Sequence, residues 1–160
     1  MNDILLEIGN TSSQIDHVVV SQYGVFVIET KNYSGVVYGN VLSDEWIQEK
    51  GGRECTFYNP VMQNEKHCQA IAHCIGAGDK ALFAPVVVFS RSCELNIVSD
   101  KPVIYSDSLL EYINQYKEKV LTPEEVELIK VRLQGYNNPS YEARQRHVKR
   151  AKYAKRNNWW

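Results

Sequence analysis

The chain of 160 residues has no Cys-x-x-Cys pair, no internal repeat and no low-complexity tract. Its four cysteines, Cys55, Cys68, Cys74 and Cys93, lack the paired spacing of a zinc ribbon. Its longest apolar run, Ala81 to Phe89, is nine residues, and its last seven, from Phe83, contain Pro85. That suits a buried strand, whereas a helix spanning a bilayer needs about 20 residues. The first residues are acidic and polar, with no basic stretch ahead of an apolar one, which reads against a secretory leader. These absences together lead us to expect a reducing, cytoplasmic setting with no membrane partner, in which the cysteines are small core residues. Hydrophobic residues at 44% and charged residues at 23% are ordinary globular usage, enough for a core without cross-links.

The net charge of −1 conceals an uneven distribution. Residues 1–140 hold 11 Lys/Arg against 18 Asp/Glu, whereas residues 141–160 hold 7 against a single acid. Arg144, Arg146, Lys149, Arg150, Lys152, Lys155 and Arg156 crowd one short segment. Such clusters neutralise phosphates and release counterions, giving affinity for DNA, or for RNA, without sequence preference. Tyr141, Tyr153, Trp159 and Trp160 offer stacking surfaces beside them. The alternative is a solvated charged tail, or a helix docked on the acidic body.

Strands are expected over 3–8, 15–20 and 25–31, the last two joined at Ser21-Gln22-Tyr23-Gly24. Ser34-Gly35 reads as the turn of a second hairpin with Val36-Val37-Tyr38 returning. Trp46–Glu49 and Glu54–Phe57 form a third pair across Gly51-Gly52. Asn59-Pro60 opens a helix running to about Gly76, since Asn caps and Pro suits the first helical position. Further strands fall at 84–90 and 102–105. Ser106-Asp107 caps a helix over 108–119. Thr122-Pro123-Glu124-Glu125 is a capping box for a helix ending at Gly135, and Ser140 caps a basic last helix. The expected fold is therefore α/β, a mixed central sheet flanked by helices.

If Val20 pairs with Val25, Asp16 falls directly opposite Glu29, and Lys31 points to the same face. Phe26, Ile28 and Thr30 point to the other, as does His17 relative to Asp16. Two carboxylates suit Mg²⁺, which takes one or two of them and fills its other positions with water and phosphate. Lys31 could then stabilise charge building on a phosphate. From spacing alone a solvated salt-bridge cluster is the commoner outcome. Gln63 and His67 share one helix face, where they could hold a water or phosphate and shuttle a proton, or simply bond along the helix. His67-Cys68 and His73-Cys74 recur at a spacing of six, nearly two helical turns, and read as packing residues.

The context is more specific than the triad. Gln14-Ile15-Asp16-His17-Val18-Val19-Val20 and Gly24 through Gly35, then Asn59-Pro60, Gln63 and His67, then Pro85 through Ser90, together resemble the nuclease-related domain, NERD. That family is similar to the PD-(D/E)xK, restriction-endonuclease-like nucleases. The resemblance implies a four-stranded mixed sheet core with flanking helices and Mg²⁺-dependent DNA cleavage, with Mn²⁺ as a substitute cation. It implies Asp16, Glu29, Lys31 and Gln63 as catalytic residues, with Asp16 and Glu29 on the metal. Family members usually carry a helix before the first strand, often with a glutamate at the metal. Met1 stands only two residues before the first strand expected here, and Glu7 lies within it. The resemblance thus implies a site short of one ligand and a sheet short of its N-terminal helix. We expect a nuclease-related domain over 1–120 and a helical extension with a basic tail over 121–160. The alternative function is a nucleic-acid-binding accessory module that keeps the fold without turnover.

Overall fold

The computed structural model describes residues 1–77 and 82–156. Nine strands and four helices follow in the order β1 (Asn2–Ile8), β2 (Thr11–Ser21), β3 (Gly24–Lys31), β4 (Gly35–Asn40), β5 (Glu45–Lys50), β6 (Arg53–Tyr58), α1 (Pro60–Ile75), β7 (Phe83–Phe89), β8 (Cys93–Val98), β9 (Val103–Tyr105), α2 (Leu109–Asn114), α3 (Pro123–Tyr136) and α4 (Tyr141–Arg156) among the described residues. The class is α/β as expected, but the strands divide into two mixed sheets rather than one. The first has five strands in the order β1-β2-β3-β7-β9, and the second has four in the order β6-β5-β4-β8.

β3 is the centre of the first sheet, antiparallel to β2 and parallel to β7. Its residues from Gly24 to Glu29 are all buried, which is why Val-Phe-Val-Ile reads as a continuous apolar run. Val25 and Val27 join Ile4, Leu6, Ile15 and Val18 under α1 and α3, which contribute Ile71, Ile75, Ile129 and Leu133. On the opposite face Ile28, Val86 and Val88 meet Ile104, Leu109 and Tyr112. α1 and α3 thus cover β1 and β2, although β1 is the first element of the fold. Pro85 is tolerated in β7 because the pairing of β7 with β9 begins only at Val87.

The second sheet overturns the expected hairpin at Ser34-Gly35. β4 leaves β3 and pairs with β5 and β8 instead. Gly35 adopts φ +84°, and a Cβ there would collide with the Glu49 carbonyl, so the chain turns against β5 rather than back along β3. The Gly51-Gly52 turn behaves as its sequence predicts, both residues having positive φ. β8 was not foreseen. Cys93, Leu95 and Ile97 alternate with the exposed Glu94, Asn96 and Val98, but the segment is short and its partner β4 is distant in sequence.

Val37, Trp46 and Cys93 of the second sheet pack on Val87 and Phe89 of the first, with the Trp46 and Phe89 rings stacked at 6.4 Å. Asn59 ties this junction to α1. Its Oδ1 accepts from the Val61 N–H at 2.9 Å, and its Nδ2 donates to the carbonyls of Ser43 at 2.7 Å and Val41 at 3.0 Å. α1 stops at Gly76 in the left-handed region, and the Thr122–Glu125 capping box forms as predicted. Ser106-Asp107 is not a cap. A single 3₁₀ turn occupies Ser106–Ser108 without a side-chain capping bond, and α2 ends at Asn114 rather than 119. Asp107 is instead held by Arg91 at 2.8 Å.

Candidate active site

The two-residue turn Gln22-Tyr23 sets the β2–β3 register, and Val20 pairs with Val25. The ladder then stops at His17–Ile28, one pair short of the expected Asp16–Glu29 step. Ile15 and Val18 occupy the same core although they are three apart, so strict alternation is interrupted at Asp16-His17. Asp16 consequently reaches Thr30. Its Oδ2 accepts from the Thr30 backbone N–H at 2.8 Å and from the Thr30 hydroxyl at 2.6 Å. Thr30 is thus the residue that fixes this carboxylate, a role its position on the opposite strand face had hidden.

Glu29, Lys31 and Gln63 converge. Lys31 Nζ donates to Glu29 Oε1 at 2.6 Å and to Gln63 Oε1 at 3.0 Å. α1 delivers Gln63 and, one turn later, His67, whose Nδ1 stands 3.4 Å from Glu29 Oε2. Glu29 Oε2 and His67 Nδ1 are both buried without a hydrogen-bond partner. Asn64 anchors the helix over the strands. Its Nδ2 donates to the carbonyls of Val27 at 2.9 Å and Val86 at 3.1 Å. Asn64, His67, Ile71 and Cys74 form one buried stripe of α1, and two polar members at its start were the available sign of this contact.

Burial dominates the electrostatics. It pushes the Glu29 carboxyl up to about 7, against the lowering effect of Lys31 and with a further upward push from Asp16. Burial also draws the His67 imidazole down to about 4, although the Asp16 charge favours its cation. Burial thus favours the uncharged form of both groups. Both groups respond to Asp16, so the three lie within one electrostatic neighbourhood.

Among the described residues no group of three or more His, Cys, Asp and Glu side chains is arranged to hold a metal ion. A sparsely liganded cation is a different case. Mg²⁺ needs only one or two carboxylates from the protein. Asp16 has one oxygen committed to Thr30, and Glu29 retains a buried oxygen with no partner. A carboxylate oxygen left unpaired in the interior is costly unless something positive meets it, and this donor set fits such an ion.

A family model decides the lineage. Residues 1–90 match that of the nuclease-related domain, NERD. The chain belongs to the nuclease-related domain family. A relative, an uncharacterized protein of Bacillus anthracis, is 34% identical over 150 residues, covering 91% of this chain and 69% of its own length. No solved structure gives a significant match. The matched residues of this nuclease-related domain include Asp16, Glu29, Lys31, Gln63 and His67, which β2, β3 and α1 bring to one place.

The basic helix of this NERD protein is docked rather than free. Ser140 caps it, its hydroxyl accepting from the Ala143 N–H at 3.2 Å. Arg144 pairs with Asp3 at 2.9 Å, while Arg146 and Arg150 reach Glu7 at 2.9 and 3.5 Å. His147 meets the Ser12 hydroxyl at 3.0 Å. Lys149 and Lys152 face solvent. The side chains of Lys155 and Arg156, and the residues Trp159 and Trp160, lie outside the described residues. No helix among the described residues is long and apolar enough to cross a membrane.

Proposed function

We propose that this protein is a metal-dependent phosphodiesterase that hydrolyses DNA, with Mg²⁺ as the expected cation. The observation that carries this reading is the convergence of Glu29, Lys31 and Gln63 beside an unpartnered carboxylate oxygen, with Asp16 close enough to act on it. Asp16 and Glu29 would hold the cation. When bound, it would polarise a phosphoryl oxygen and lower the pKa of a water. Lys31 would place its positive charge where negative charge grows on the phosphate. Gln63 accepts a hydrogen bond from the Lys31 amine and so aims it. Glu29 must shed its proton to serve as a ligand, so cation binding and activity should rise with pH.

The basic segment supplies substrate affinity. Of Arg144, Arg146, Lys149, Arg150, Lys152, Lys155 and Arg156, the three arginines on Asp3 and Glu7 need to exchange those partners before they can take phosphate. The 2% exposure of Glu29 favours a second reading, a binding module without turnover. Purified protein with Mg²⁺ or Mn²⁺ should nick plasmid DNA, and Glu29→Ala and Lys31→Ala should each abolish nicking. Nicking that survives both changes refutes the assignment of the site. Salt-dependent DNA binding without cleavage, lost on deleting 141–160, identifies the second reading.

A further inference from the structure

Glu29 Oε2 and His67 Nδ1 face one another inside the protein, 3.4 Å apart, and neither has a hydrogen-bond partner. Both residues are at least nine-tenths buried, Glu29 at 2% and His67 at 5% exposure. Two unpaired polar atoms enclosed together are unusual in a folded protein, because each has lost its water. A carboxylate oxygen offers lone pairs, and a neutral imidazole protonated at Nε2 offers one on Nδ1. In that tautomer a cation placed between them would be met by both atoms. At a metal–ligand distance of about 2.1 Å, donors 3.4 Å apart subtend an angle of about 108° at the ion, close to tetrahedral.

We propose that His67 is a nitrogen ligand of the metal centre, binding through Nδ1 beside Glu29 Oε2, and that the site consequently takes a first-row transition-metal ion in preference to Mg²⁺. This rests on the preceding reading that Glu29 is a metal ligand, and it changes the identity of the ion. Mg²⁺ is a hard cation that prefers all-oxygen shells. Imidazole suits iron, zinc, copper and nickel, and Mn²⁺ tolerates it better than Mg²⁺ does. The location of His67 also fits. α1 is fixed by the Asn59 cap at one end and by Asn64 over β3 and β7, so His67 is presented by a helix held at both points.

Mn²⁺ is the probe, because thiolates of the four cysteines compete for it weakly. Tag-free protein is titrated with MnCl₂ and followed by electron paramagnetic resonance, then challenged with MgCl₂. Pulsed measurements on the same samples read nitrogen hyperfine coupling. The expected result is Mn²⁺ bound at least about tenfold more tightly than Mg²⁺, with a ¹⁴N coupling of imidazole type. Histidine labelled with ¹⁵N should convert that coupling, and His67→Gln should remove it and shift preference toward Mg²⁺. Bound Mn²⁺ whose spectrum lacks nitrogen coupling, or keeps it in His67→Gln, overturns the proposal while leaving the metal assignment of Glu29 standing. Mn²⁺ binding that is absent, or unaffected by Glu29→Gln, overturns both. A wild-type spectrum without nitrogen coupling overturns the proposal even if His67→Gln folds poorly, and His67→Asn then serves as the second variant.

Discussion

Glu29→Gln should make the protein more stable and inactive at once. The Glu29 carboxyl titrates at 4.5 in its ordinary state and at about 7 in the fold. Below pH 4.5 it is neutral in both states, and Gln is then an equivalent side chain. Between 4.5 and 7 the unfolded chain ionises while the folded chain stays protonated, so stability falls as pH rises. Above about 7 the loss is complete. A gap of that size corresponds to roughly 3 kcal/mol. Gln has no proton to lose, and its amide oxygen can still accept from Lys31. The variant should match wild type near pH 4 and exceed it by up to roughly 3 kcal/mol above pH 8. For a chain of this length that is about 6–12 °C in Tm. Thermal unfolding in EDTA across pH 4–9 measures the difference. A gap that does not change with pH, or a variant less stable than wild type at pH 8.5, refutes the burial of an ionisable Glu29 as its cause.

Three further outcomes follow from the geometry. Thr30→Val removes the hydroxyl that Asp16 accepts from at 2.6 Å, so nicking and Mn²⁺ affinity should fall about tenfold while Thr30→Ser stays near wild type; equal behaviour of the two variants removes the role assigned to Thr30. Glu7→Ala releases Arg146 and Arg150, so DNA affinity should rise and the salt dependence of binding should steepen by about one to two counterions; an unchanged slope in fluorescence anisotropy between 50 and about 200 mM salt contradicts this. Asn59→Ala loses the α1 cap and strands two loop carbonyls, costing at least about 2 kcal/mol in urea denaturation; a smaller loss means that water replaces the amide.

The α/β class, the β2–β3 register and the bounds of α1 were all legible in the sequence. Each depends on short-range chemistry: a two-residue turn, an Asn-Pro start, a glycine stop. Val20 opposite Val25 followed from the turn alone. The division into two sheets did not. Gly35 looks like any turn glycine until the Glu49 carbonyl is set against it, and β8 acquires its role only when β4 lies beside it. Parallel partners far apart in sequence leave no local signature.

The site divides in the same way. The sequence by itself put Glu29 and Lys31 on one face of a strand, and the family resemblance implied Gln63 beside them. Only the tertiary structure decided their chemistry. Asp16 turns to Thr30 because β2 loses its alternation at that point. Glu29 is pushed up to about 7 because α1 closes over it, and burial is a property of the whole packing rather than of any motif. His67 faces the unpaired Glu29 oxygen for the same reason. The arginines of α4, legible as a positive cluster, are held by Asp3 and Glu7 because the fold carries the end of the chain back to its first strand.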